Sequence, residues 1–563
     1  MSHIDEYRRW LAGTAGDEAA GRELRAAAED PAELEDRFYR ELSFGTAGMR
    51  GVLGLGTNRM NRYTVGRTTL ALAALVRESG GAERGVAIGY DSRRFSREFA
   101  KEAALVLASQ GVRAYLFDAL RPVPVLSFAV RRLNCLAGIV ITASHNPPKY
   151  NGYKVYWEDG GQLPPERADG ITEKLKDIGY FDAKPMDEQA ARAAGLLVTI
   201  GKDIDDRYIE AVKGLLVNPP LACAMGKELK IVYTPLHGSG NVPVRRILKE
   251  IGIENVHVVP EQELPDGAFP TVRVPNPEER DAFDLAIKLQ EKLKADLCVA
   301  TDPDCDRVGV ACLTASGEAK LLDGNQIGCI LLHYILSQKK ALGKLPENAA
   351  VVKSIVTTEM ARAICRDFGA ALFDVLTGFK FIAEKIQQFE ESGEFTFEFA
   401  FEESYGYLSG TDVRDKDGVN ACMLIAEAAC FYKRRGMTLL DAIEALYKQY
   451  GYFGERTVSV ALQGKDGLSR MRDLMDALRK NPPGAIGPAH VVRVRDYMFK
   501  EPVSDVLYFE LDGGWACVRP SGTEPKIKLY AGAVGASHGE TERLLDQYIR
   551  ALKGALGMED TSA

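Results

Sequence analysis

Residues 139–146 read Ile-Val-Ile-Thr-Ala-Ser-His-Asn, an apolar run that ends at a serine. A short apolar segment followed by Pro147 and Pro148 is typical of a buried strand and not of a helix. In open α/β sheets, ligands bind at the carboxyl ends of the strands. The segment therefore predicts Ser144 at a position where chemistry takes place. A serine and a histidine at a strand end can also simply cap a turn, so this alternative stays open here.

The composition indicates a large globular protein with three or four domains. Its 563 residues exceed what one hydrophobic core supports, and 46% hydrophobic with 27% charged residues is typical of globular chains. The net charge of -8 argues against a nucleic-acid partner. Ten irregularly spaced cysteines, a start unlike a signal peptide and the lack of a membrane-spanning apolar run predict a cytoplasmic protein with reduced thiols and no membrane partner.

Strand-like and helix-like stretches alternate along most of the chain. The predicted helix at 64–78 precedes a strand-like run at 85–90, and such alternation predicts mostly parallel sheets layered by helices. Beyond residue 454, short strands accompany one long helix at 467–480 and another at the C-terminus. We predict an α/β protein of three consecutive α/β domains with layered mixed sheets and a smaller C-terminal α+β domain. The predicted limits are 1–203, 204–320, 321–453 and 454–563.

Three aspartates follow a second apolar run, at 297–300. Asp302, Asp304 and Asp306 occupy alternating positions directly after that run. Crowded carboxylates repel one another, and hard divalent cations with oxygen ligands are the usual remedy. The pattern predicts a magnesium site, with an acidic surface turn as the alternative. A calcium loop of the EF-hand type fits poorly because its sixth position is Arg307 instead of glycine.

Two further segments have polar groups suited to a sugar phosphate. Residues 519–525, Arg-Pro-Ser-Gly-Thr-Glu-Pro, combine a fork-shaped cation, hydroxyl groups and a glycine, which an anion-binding loop requires; an ordinary hairpin loop is the alternative. Residues 401–406, Phe-Glu-Glu-Ser-Tyr-Gly, follow a predicted strand, and their carboxylates could accept hydrogen bonds from sugar hydroxyls; an exposed acidic loop is the alternative. The loops at 377–380 and 415–418 also contain polar residues, but their sequences fit a binding loop and an ordinary surface loop equally well.

Taken together, these segments resemble the α-D-phosphohexomutase superfamily across nearly the whole chain, in the order serine loop, metal loop, sugar loop and phosphate loop. The phosphoserine loop of that family, Thr-Ala-Ser-His-Asn-Pro, matches residues 142–147, and its metal loop matches residues 302–307. Residues 44–51 resemble the family's opening segment. Residues 151–156 and 270–279 resemble the bacterial α-phosphoglucomutase branch, which also includes animal phosphopentomutase and glucose-1,6-bisphosphate synthase.

The resemblance implies four domains around a central cleft and a role for each loop. The last domain would close onto the substrate from a hinge near residues 452–455. Mg²⁺ would be held by Asp302, Asp304, Asp306 and a phosphorylated Ser144, and Cys305 would be a spacer because sulfur is a poor ligand for magnesium. The implied catalytic residues are Ser144, His145, which would polarise the phosphoserine, Lys154, which would be the general base, and Arg307. The sugar would contact Gly378, Lys380, Glu402 and Ser404, its distant phosphate would contact Arg519, Ser521, Gly522 and Thr523, and Arg50 would lie nearby.

The implied activity is the reversible conversion of glucose 1-phosphate and glucose 6-phosphate. It would proceed through the phosphoserine and glucose 1,6-bisphosphate, which would be both intermediate and activator. Phosphopentomutase and phosphomannomutase activities remain alternatives, although no histidine follows residues 402–405 as one does in the phosphomannomutase branch. A metal-dependent phosphatase with Asp302 as nucleophile, and a non-catalytic sugar-phosphate binder, are alternatives from other classes.

Overall fold

Four β-sheets follow one another along the chain. The computed structural model describes residues 2–46, 48–462, 467–500, 502–520 and 526–558. Within these ranges, no helix combines the length and the apolar character needed to cross a membrane. Each sheet is formed by one continuous part of the chain, so each sheet with its helices corresponds to one domain.

The first sheet has six strands, and it carries the serine loop at one strand end. The strands are β1 (Met49–Val52), β2 (Val86–Tyr90), β3 (Ala114–Phe117), β4 (Ala137–Ile141), β5 (Tyr150–Trp157) and β6 (Leu197–Ile200). The helices are α1 (His3–Gly13), α2 (Glu18–Ala27), α3 (Pro31–Phe38), α4 (Arg62–Glu78), α5 (Ser96–Ser109), α6 (Val123–Arg132), α7 (Pro165–Leu175) and α8 (Glu188–Ala193). The order β1-β5-β4-β2-β3-β6 is parallel from β4 to β6 and antiparallel where β5 pairs with β4 and β1. Both β2 and β4 are buried throughout, as strands covered on both faces must be.

The second sheet carries the aspartate loop. Its helices are α9 (Lys202–Lys213), α10 (Pro219–Met225), α11 (Asn241–Glu250), α12 (Pro260–Glu263) and α13 (Asp284–Leu293), with a 3-10 turn at Arg280–Phe283. Its strands are β7 (Lys230–Thr234), β8 (Asn255–Val258), β9 (Leu297–Thr301), β10 (Val308–Leu313) and β11 (Ala319–Leu322), in the order β11-β10-β9-β7-β8. Strand β7 is parallel to β8 and β9, and β10 is antiparallel to β9 and β11. The aspartates lie in the turn between β9 and β10.

The third sheet has four strands in the order β13-β12-β14-β15. These are β12 (Ala349–Ser354), β13 (Ala371–Val375), β14 (Thr396–Glu402) and β15 (Gly406–Leu408). The helices are α14 (Gly324–Ala341), α15 (Met360–Phe368), α16 (Phe379–Ser392), α17 (Gly418–Lys433) and α18 (Leu439–Tyr450). The predicted sugar loop is the short connection between β14 and β15, which pair antiparallel, while β12 is parallel to both β13 and β14.

The fourth sheet is antiparallel and forms the smaller C-terminal domain. Its strands are β16 (Tyr452–Ala461), β17 (Ala485–Ile486), β18 (Ala489–Asp496), β19 (Leu507–Leu511), β20 (Gly514–Pro520) and β21 (Lys526–Gly535), in the order β16-β21-β20-β19-β18-β17. Two helices, α19 (Gly467–Lys480) and α20 (His538–Ala555), and a 3-10 turn at Tyr497–Phe499 complete it. The predicted class, three α/β domains followed by an α+β domain, is confirmed.

The buried apolar core shows which domains are joined. One continuous cluster of buried side chains extends through the first three domains, from Ala87 and Phe128 to Ile247 and Phe399. The fourth domain has a core of its own around Phe509. It meets the third domain at a smaller apolar cluster, whose members are Ile355, Val356, Leu376, Tyr497, Val506, Tyr508, Trp515, Cys517 and Tyr530. The first three domains therefore form one packed unit.

The predicted domain limits stay a prediction. Each of the three limits falls inside an element, because α9 begins at Lys202, β11 ends at Leu322 and β16 begins at Tyr452. Residues 151–156, which we treated only as a motif, lie in β5. This strand was not predicted because it is buried almost throughout and includes the polar residues Asn151 and Lys154, so its sequence neither alternates nor is continuously apolar.

Candidate active site

Ser144 lies in the turn between β4 and β5, and its side chain points toward the second domain. Its Oγ donates a hydrogen bond to Asp302 Oδ2 at 2.9 Å, and its backbone N–H donates to Thr142 Oγ1 at 2.8 Å. Its φ is +51°, in the left-handed region that costs a residue with a side chain about 1–2 kcal/mol. The residue is 4% exposed. The turn thus presents one hydroxyl group, in an unfavourable backbone conformation, to the aspartate loop.

The aspartate loop forms a buried acidic cluster. One carboxylate oxygen from each of Asp302, Asp304 and Asp306 lies within 4.8 Å of the others. Burial, and then the charges of the other two aspartates, raise the pKa of Asp302 well above its usual value. Among the described residues, Asp304 Oδ1 and Asp306 Oδ1 are buried and accept no hydrogen bond. Because a buried carboxylate oxygen without a partner is costly, these two atoms fit an oxygen-binding cation such as Mg²⁺.

Two lysines balance part of this negative charge. Lys154 Nζ, on β5, lies 2.9 Å from Asp304 Oδ2 and 3.6 Å from Asp306 Oδ2. Lys416 Nζ lies 2.8 Å from Asp306 Oδ2 and 3.0 Å from Asp415 Oδ1. Burial alone would lower the pKa of Lys154, but Asp304 and Asp306 raise it above its usual value. Burial raises the pKa of Asp306 in isolation, and the charges of Lys416 and Lys154 reverse the shift and hold it below its usual value.

His145 and Arg307 flank the serine. His145 Nδ1 lies 3.2 Å from Ser144 Oγ. Burial, followed by the positive charges of Arg307 and Arg50, keeps the pKa of His145 well below its usual value, so the imidazole is neutral near pH 7. The backbone N–H of Arg307 donates to Asp302 Oδ1 at 3.0 Å, and its guanidinium pairs with Glu278. Arg50 Nη1 donates to Asn146 Oδ1 at 2.8 Å.

The segment after β14 faces the cleft with two carboxylates in different environments. Glu403 Oε2 accepts hydrogen bonds from Ser354 Oγ and Thr357 Oγ1, each at 3.0 Å. Glu402 is buried, and its Oε1 accepts from the backbone N–H of Gly378 at 2.9 Å. Burial, and then the charge of Glu403, raise the pKa of Glu402 to about 7. Ser404 is half-buried beside them. The predicted sugar residues Gly378 and Glu402 are therefore in contact.

The third and fourth domains contribute three cations, Lys380, Lys528 and Arg519, that influence one another. Lys380 Nζ, on α16 of the third domain, donates to Thr46 Oγ1 of the first domain at 3.0 Å. Burial and the charge of Arg519, on β20 of the fourth domain, lower the pKa values of Lys380 and Lys528. The positive charge of Arg519 thus acts on both lysines. The predicted phosphate-binding residues Ser521, Gly522 and Thr523 lie outside the described residues.

Three residues that contact this site were not predicted from the sequence. Asp91 and Arg93 contact the serine turn, and Lys416 pairs with the aspartate loop. Residues 91–94 directly follow β2, which neighbours β4 in a parallel pair, so their position at the same sheet edge was the available signal. For Lys416, the sequence showed only an ambiguous loop of alternating charges.

Three α/β domains and an α+β domain around a cleft, with a strand-end serine facing an acidic triad, define the architecture of the phosphohexomutases. The family model described as "Phosphoglucomutase/phosphomannomutase, alpha/beta/alpha domain I" matches residues 41–180. The models of domain II, domain III and the C-terminal domain of the same family match residues 206–315, 323–450 and 459–551. The chain therefore belongs to the phosphoglucomutase/phosphomannomutase family. It is an isomerase of the phosphotransferase type, as predicted.

Individual relatives agree with this assignment. The phosphoglucomutase of Staphylococcus haemolyticus is 36% identical over 510 residues, which cover 88% of this chain and 91% of that protein. The open form of the Paramecium phosphoglucomutase pp63/parafusin has a TM-score of 0.69 at 17% identity and covers 92% of this chain and 96% of that chain. A phosphoglucomutase/phosphomannomutase family protein from Burkholderia thailandensis has a TM-score of 0.67 at 22% identity, covering 91% and 97%. These two structures support the fold.

Proposed function

We propose that the protein is a phosphoglucomutase. It interconverts glucose 1-phosphate and glucose 6-phosphate, with a phosphoryl group carried on Ser144 and glucose 1,6-bisphosphate as intermediate and activator. The observation that carries the proposal is the position of Ser144 Oγ, 2.9 Å from Asp302 Oδ2 at the edge of the buried acidic triad. The phosphoglucomutase name of relatives at 36–37% identity supports glucose as the sugar, over the mannose and pentose alternatives.

The acidic triad is the proposed magnesium site. Asp302, Asp304 and Asp306 would hold Mg²⁺ together with the phosphorylated Ser144, because an all-oxygen ligand set suits a hard cation and two of the triad's oxygens have no other described partner. When bound, Mg²⁺ supplies positive charge that offsets both the carboxylates and the transferred phosphoryl group. Cys305 in the same loop has its side chain buried against Gly240, which agrees with its role as a spacer.

Phosphoryl transfer requires a base, an acceptor oxygen and support for the leaving serine oxygen. In the proposed step, a sugar hydroxyl oxygen bonds to phosphorus as the bond between phosphorus and Ser144 Oγ breaks. The hydroxyl proton passes to Lys154, which returns a proton to Ser144 Oγ so that the serine hydroxyl is restored. The neutral imidazole of His145, 3.2 Å from Ser144 Oγ, can donate a hydrogen bond to the phosphoserine. Arg307 lies beside the same turn and adds positive charge. The same residues act in the reverse direction when the bisphosphate returns its other phosphoryl group to Ser144.

The remaining cleft residues would hold the part of the substrate that does not react. Glu403 already accepts two hydroxyl hydrogen bonds from the protein, which leaves Glu402 and Ser404 to hold sugar hydroxyls near Gly378. Lys380 would also contact the sugar, and the 519–523 segment with Arg519, Ser521, Gly522 and Thr523 would bind the distant phosphate, whereas Arg50 lies beside the serine turn. A single distant site would serve both orientations of the bisphosphate. We also place the protein in the cytoplasm, where its ten cysteines, all free thiols, would remain reduced.

The arrangement favours Ser144 over Asp302 as the nucleophile. Asp302 Oδ1 accepts the backbone N–H groups of Asp306 and Arg307, and Oδ2 accepts the Ser144 hydroxyl. Both carboxylate oxygens of Asp302 therefore accept hydrogen bonds from the protein, and Ser144 is one of the donors. A phosphatase that used Asp302 would have to break these hydrogen bonds first.

The decisive experiment measures glucose 6-phosphate formation from glucose 1-phosphate with Mg²⁺ and a trace of glucose 1,6-bisphosphate. Ser144→Ala should lower kcat by about 10⁴-fold or more, because the nucleophile is lost. Ser109→Ala, in α5 of the same domain, is the matched control and should keep wild-type activity. Ribose 1-phosphate and mannose 1-phosphate tested in parallel rank the sugars. Release of free phosphate that survives in Ser144→Ala would instead identify a phosphatase.

A further inference from the structure

Arg93 is a buried arginine whose hydrogen bonds converge on the serine turn. Its guanidinium is fully enclosed and reaches from the end of β2 to the turn between β4 and β5. Four backbone carbonyl groups of that turn accept its hydrogen bonds: Ser144 O at 2.5 Å and Asn146 O from Nη2, and Pro147 O and Tyr150 O at 3.1 Å each from Nη1. No other cation is described in contact with these carbonyl oxygens. One side chain thus fixes the path of the backbone from Ser144 to the start of β5.

Asp91 connects Arg93 to the other side of the serine. Asp91 Oδ2 lies 3.4 Å from Arg93 Nε and accepts a hydrogen bond from Thr142 Oγ1 at 2.6 Å. Thr142 Oγ1 in turn accepts the backbone N–H of Ser144 at 2.8 Å. Asp91 Oδ1 accepts from Ser96 Oγ at 2.7 Å, which holds the carboxylate against the first turn of α5. The ion pair therefore contacts the amide side of Ser144 through Thr142 and its carbonyl side directly.

The second domain covers this ion pair. The ring of Phe269 lies 5.0 Å from the Arg93 guanidinium carbon, in cation–π contact, and Phe269 is itself buried. Gly267 is so close to the backbone of residues 92–94 that a Cβ there would lie 2.4 Å from Arg94 N. Arg93 is thus held between the first domain, which carries the serine, and the second, which carries the acidic triad.

The serine turn needs such support. Ser144 has a φ of +51°, a conformation that a non-glycine residue keeps only where its surroundings impose it. Its Oγ must also reach Asp302 in another domain, and misplacement of a reacting group by about 1 Å can cost about 10²-fold in rate. We propose that Arg93, paired with Asp91 and covered by Phe269, is a positioning residue that sets the geometry of Ser144 for phosphoryl transfer. This inference rests on the proposed mutase function.

The first test is Arg93→Lys, which keeps the positive charge but cannot donate to four carbonyl oxygens at once. We expect kcat for glucose 1-phosphate to fall by about 10²-fold while KM changes by less than about threefold, because the serine and not the substrate site is displaced. Hydrogen exchange of the peptide covering residues 142–150 should become faster by about tenfold or more. A variant whose kcat and exchange both match wild type would overturn the proposal.

A matched control separates positioning from general loss of packing. Arg67, on α4 of the same domain, also donates to two backbone carbonyl oxygens, those of Leu175 and Ile178, at 2.6 and 2.7 Å, but it does not contact the serine turn. Arg67→Lys should lose stability to a similar extent and keep wild-type kcat. An equal loss of kcat in both variants would contradict a specific role for Arg93.

A second variant keeps the proposal testable if Arg93→Lys does not fold. Asp91→Asn preserves the shape of the side chain, removes the charge that pairs with Arg93 and replaces one of the two accepting oxygens with a donor. It should lower kcat by about tenfold and leave KM near the wild-type value. Wild-type kcat in Asp91→Asn would count against the proposal. Hydrogen exchange needs no turnover. It therefore still tests the positioning role of Arg93 if the wild-type protein forms no glucose 6-phosphate. Failure of the proposed function can thus be distinguished from failure of this inference.

Discussion

At the scale of single residues, the surroundings of Lys154 and its proposed role as a general base favour opposite protonation states. Asp304 and Asp306 raise its pKa, which favours the protonated form, whereas a general base must be neutral when it accepts a proton. Both aspartates are also proposed magnesium ligands. Lys154 can therefore act as a base only when the negative charge of the triad is offset, which couples proton transfer to occupation of the metal site.

This coupling leads to a prediction for Lys154→Met. We expect kcat to fall by about 10²–10³-fold, because the base is lost. Wild-type kcat should rise with pH above neutrality, as the neutral form of Lys154 becomes more abundant, and this rise should be absent in the variant. The measurement is a pH profile of kcat at saturating Mg²⁺. Lys149→Met removes an exposed lysine from the turn before β5 and should retain the wild-type profile. An unchanged profile in Lys154→Met would exclude Lys154 as the base.

At the scale of elements, β16 connects α18 of the third domain to the fourth domain, and its fourth residue is the half-buried acid Glu455. Asn325 Nδ2, at the start of α14, donates to Glu455 Oε2 at 3.0 Å. Burial raises the pKa of Glu455 to about 8; a hydrogen bond from Thr358 opposes this shift, and the charge of Asp323 adds to it. The strand that joins two domains therefore carries a carboxyl group that is mostly protonated at neutral pH.

The pH dependence of stability follows from this shift. Between the unfolded value of 4.5 and the folded value of about 8, the folded protein holds a proton on Glu455 that the unfolded chain has lost, so the free energy of unfolding falls as pH rises through this range. Glu455→Gln removes this dependence. We expect the free energy of unfolding of Glu455→Gln, minus that of wild type, to increase by about 1–3 kcal/mol between about pH 6 and about pH 8, as measured by urea denaturation. Glu391→Gln, an exposed acid on α16, should show no such trend; a parallel trend in both variants would refute the assignment.

The positions of several strands and one helix could be predicted from the sequence. The apolar runs that became β2, β4 and β9 were predicted within about a residue, because strands covered on both faces are continuously apolar. The residues of α19 were predicted as Gly467–Lys480, as observed. The serine and the triad could be identified because each directly follows such a run. Arg93 was not identified because its partners are backbone carbonyl groups more than 50 residues away, which side-chain patterns do not reveal, and only its position after β2 indicated this sheet edge.

At the scale of the whole molecule, the proposed metal site joins two domains. Ser144 belongs to the first domain and the acidic triad to the second, and the backbone N–H of Val123, in the first domain, donates to Asp304 O at 2.9 Å. Removal of Mg²⁺ should therefore abolish turnover and also weaken the association of these domains. A cation that binds only the folded protein stabilises it according to its concentration relative to Kd.

The corresponding prediction concerns thermal stability. Mg²⁺ at about 100 times its Kd should stabilise the folded protein by about 2.7 kcal/mol and raise the Tm by a few degrees over EDTA-treated protein, as measured by differential scanning calorimetry. Asp306→Asn should lose most of this increase because it removes one ligand. Asp281→Asn, an exposed acid of the same domain, should keep the increase in full. An equal increase in Asp306→Asn and wild type would place the cation elsewhere.

The separate core of the fourth domain has a consequence for how this protein could diversify. The first three domains share one buried core and hold the serine, the triad and the carboxylates of the sugar loop, whereas Arg519 belongs to a domain with its own core. Under the proposed function, substitutions in the fourth domain should therefore alter how the distant phosphate is held without disturbing the buried surroundings of Ser144. New substrate preferences could arise by replacing one module, while the chemistry, built into the other three, is inherited unchanged.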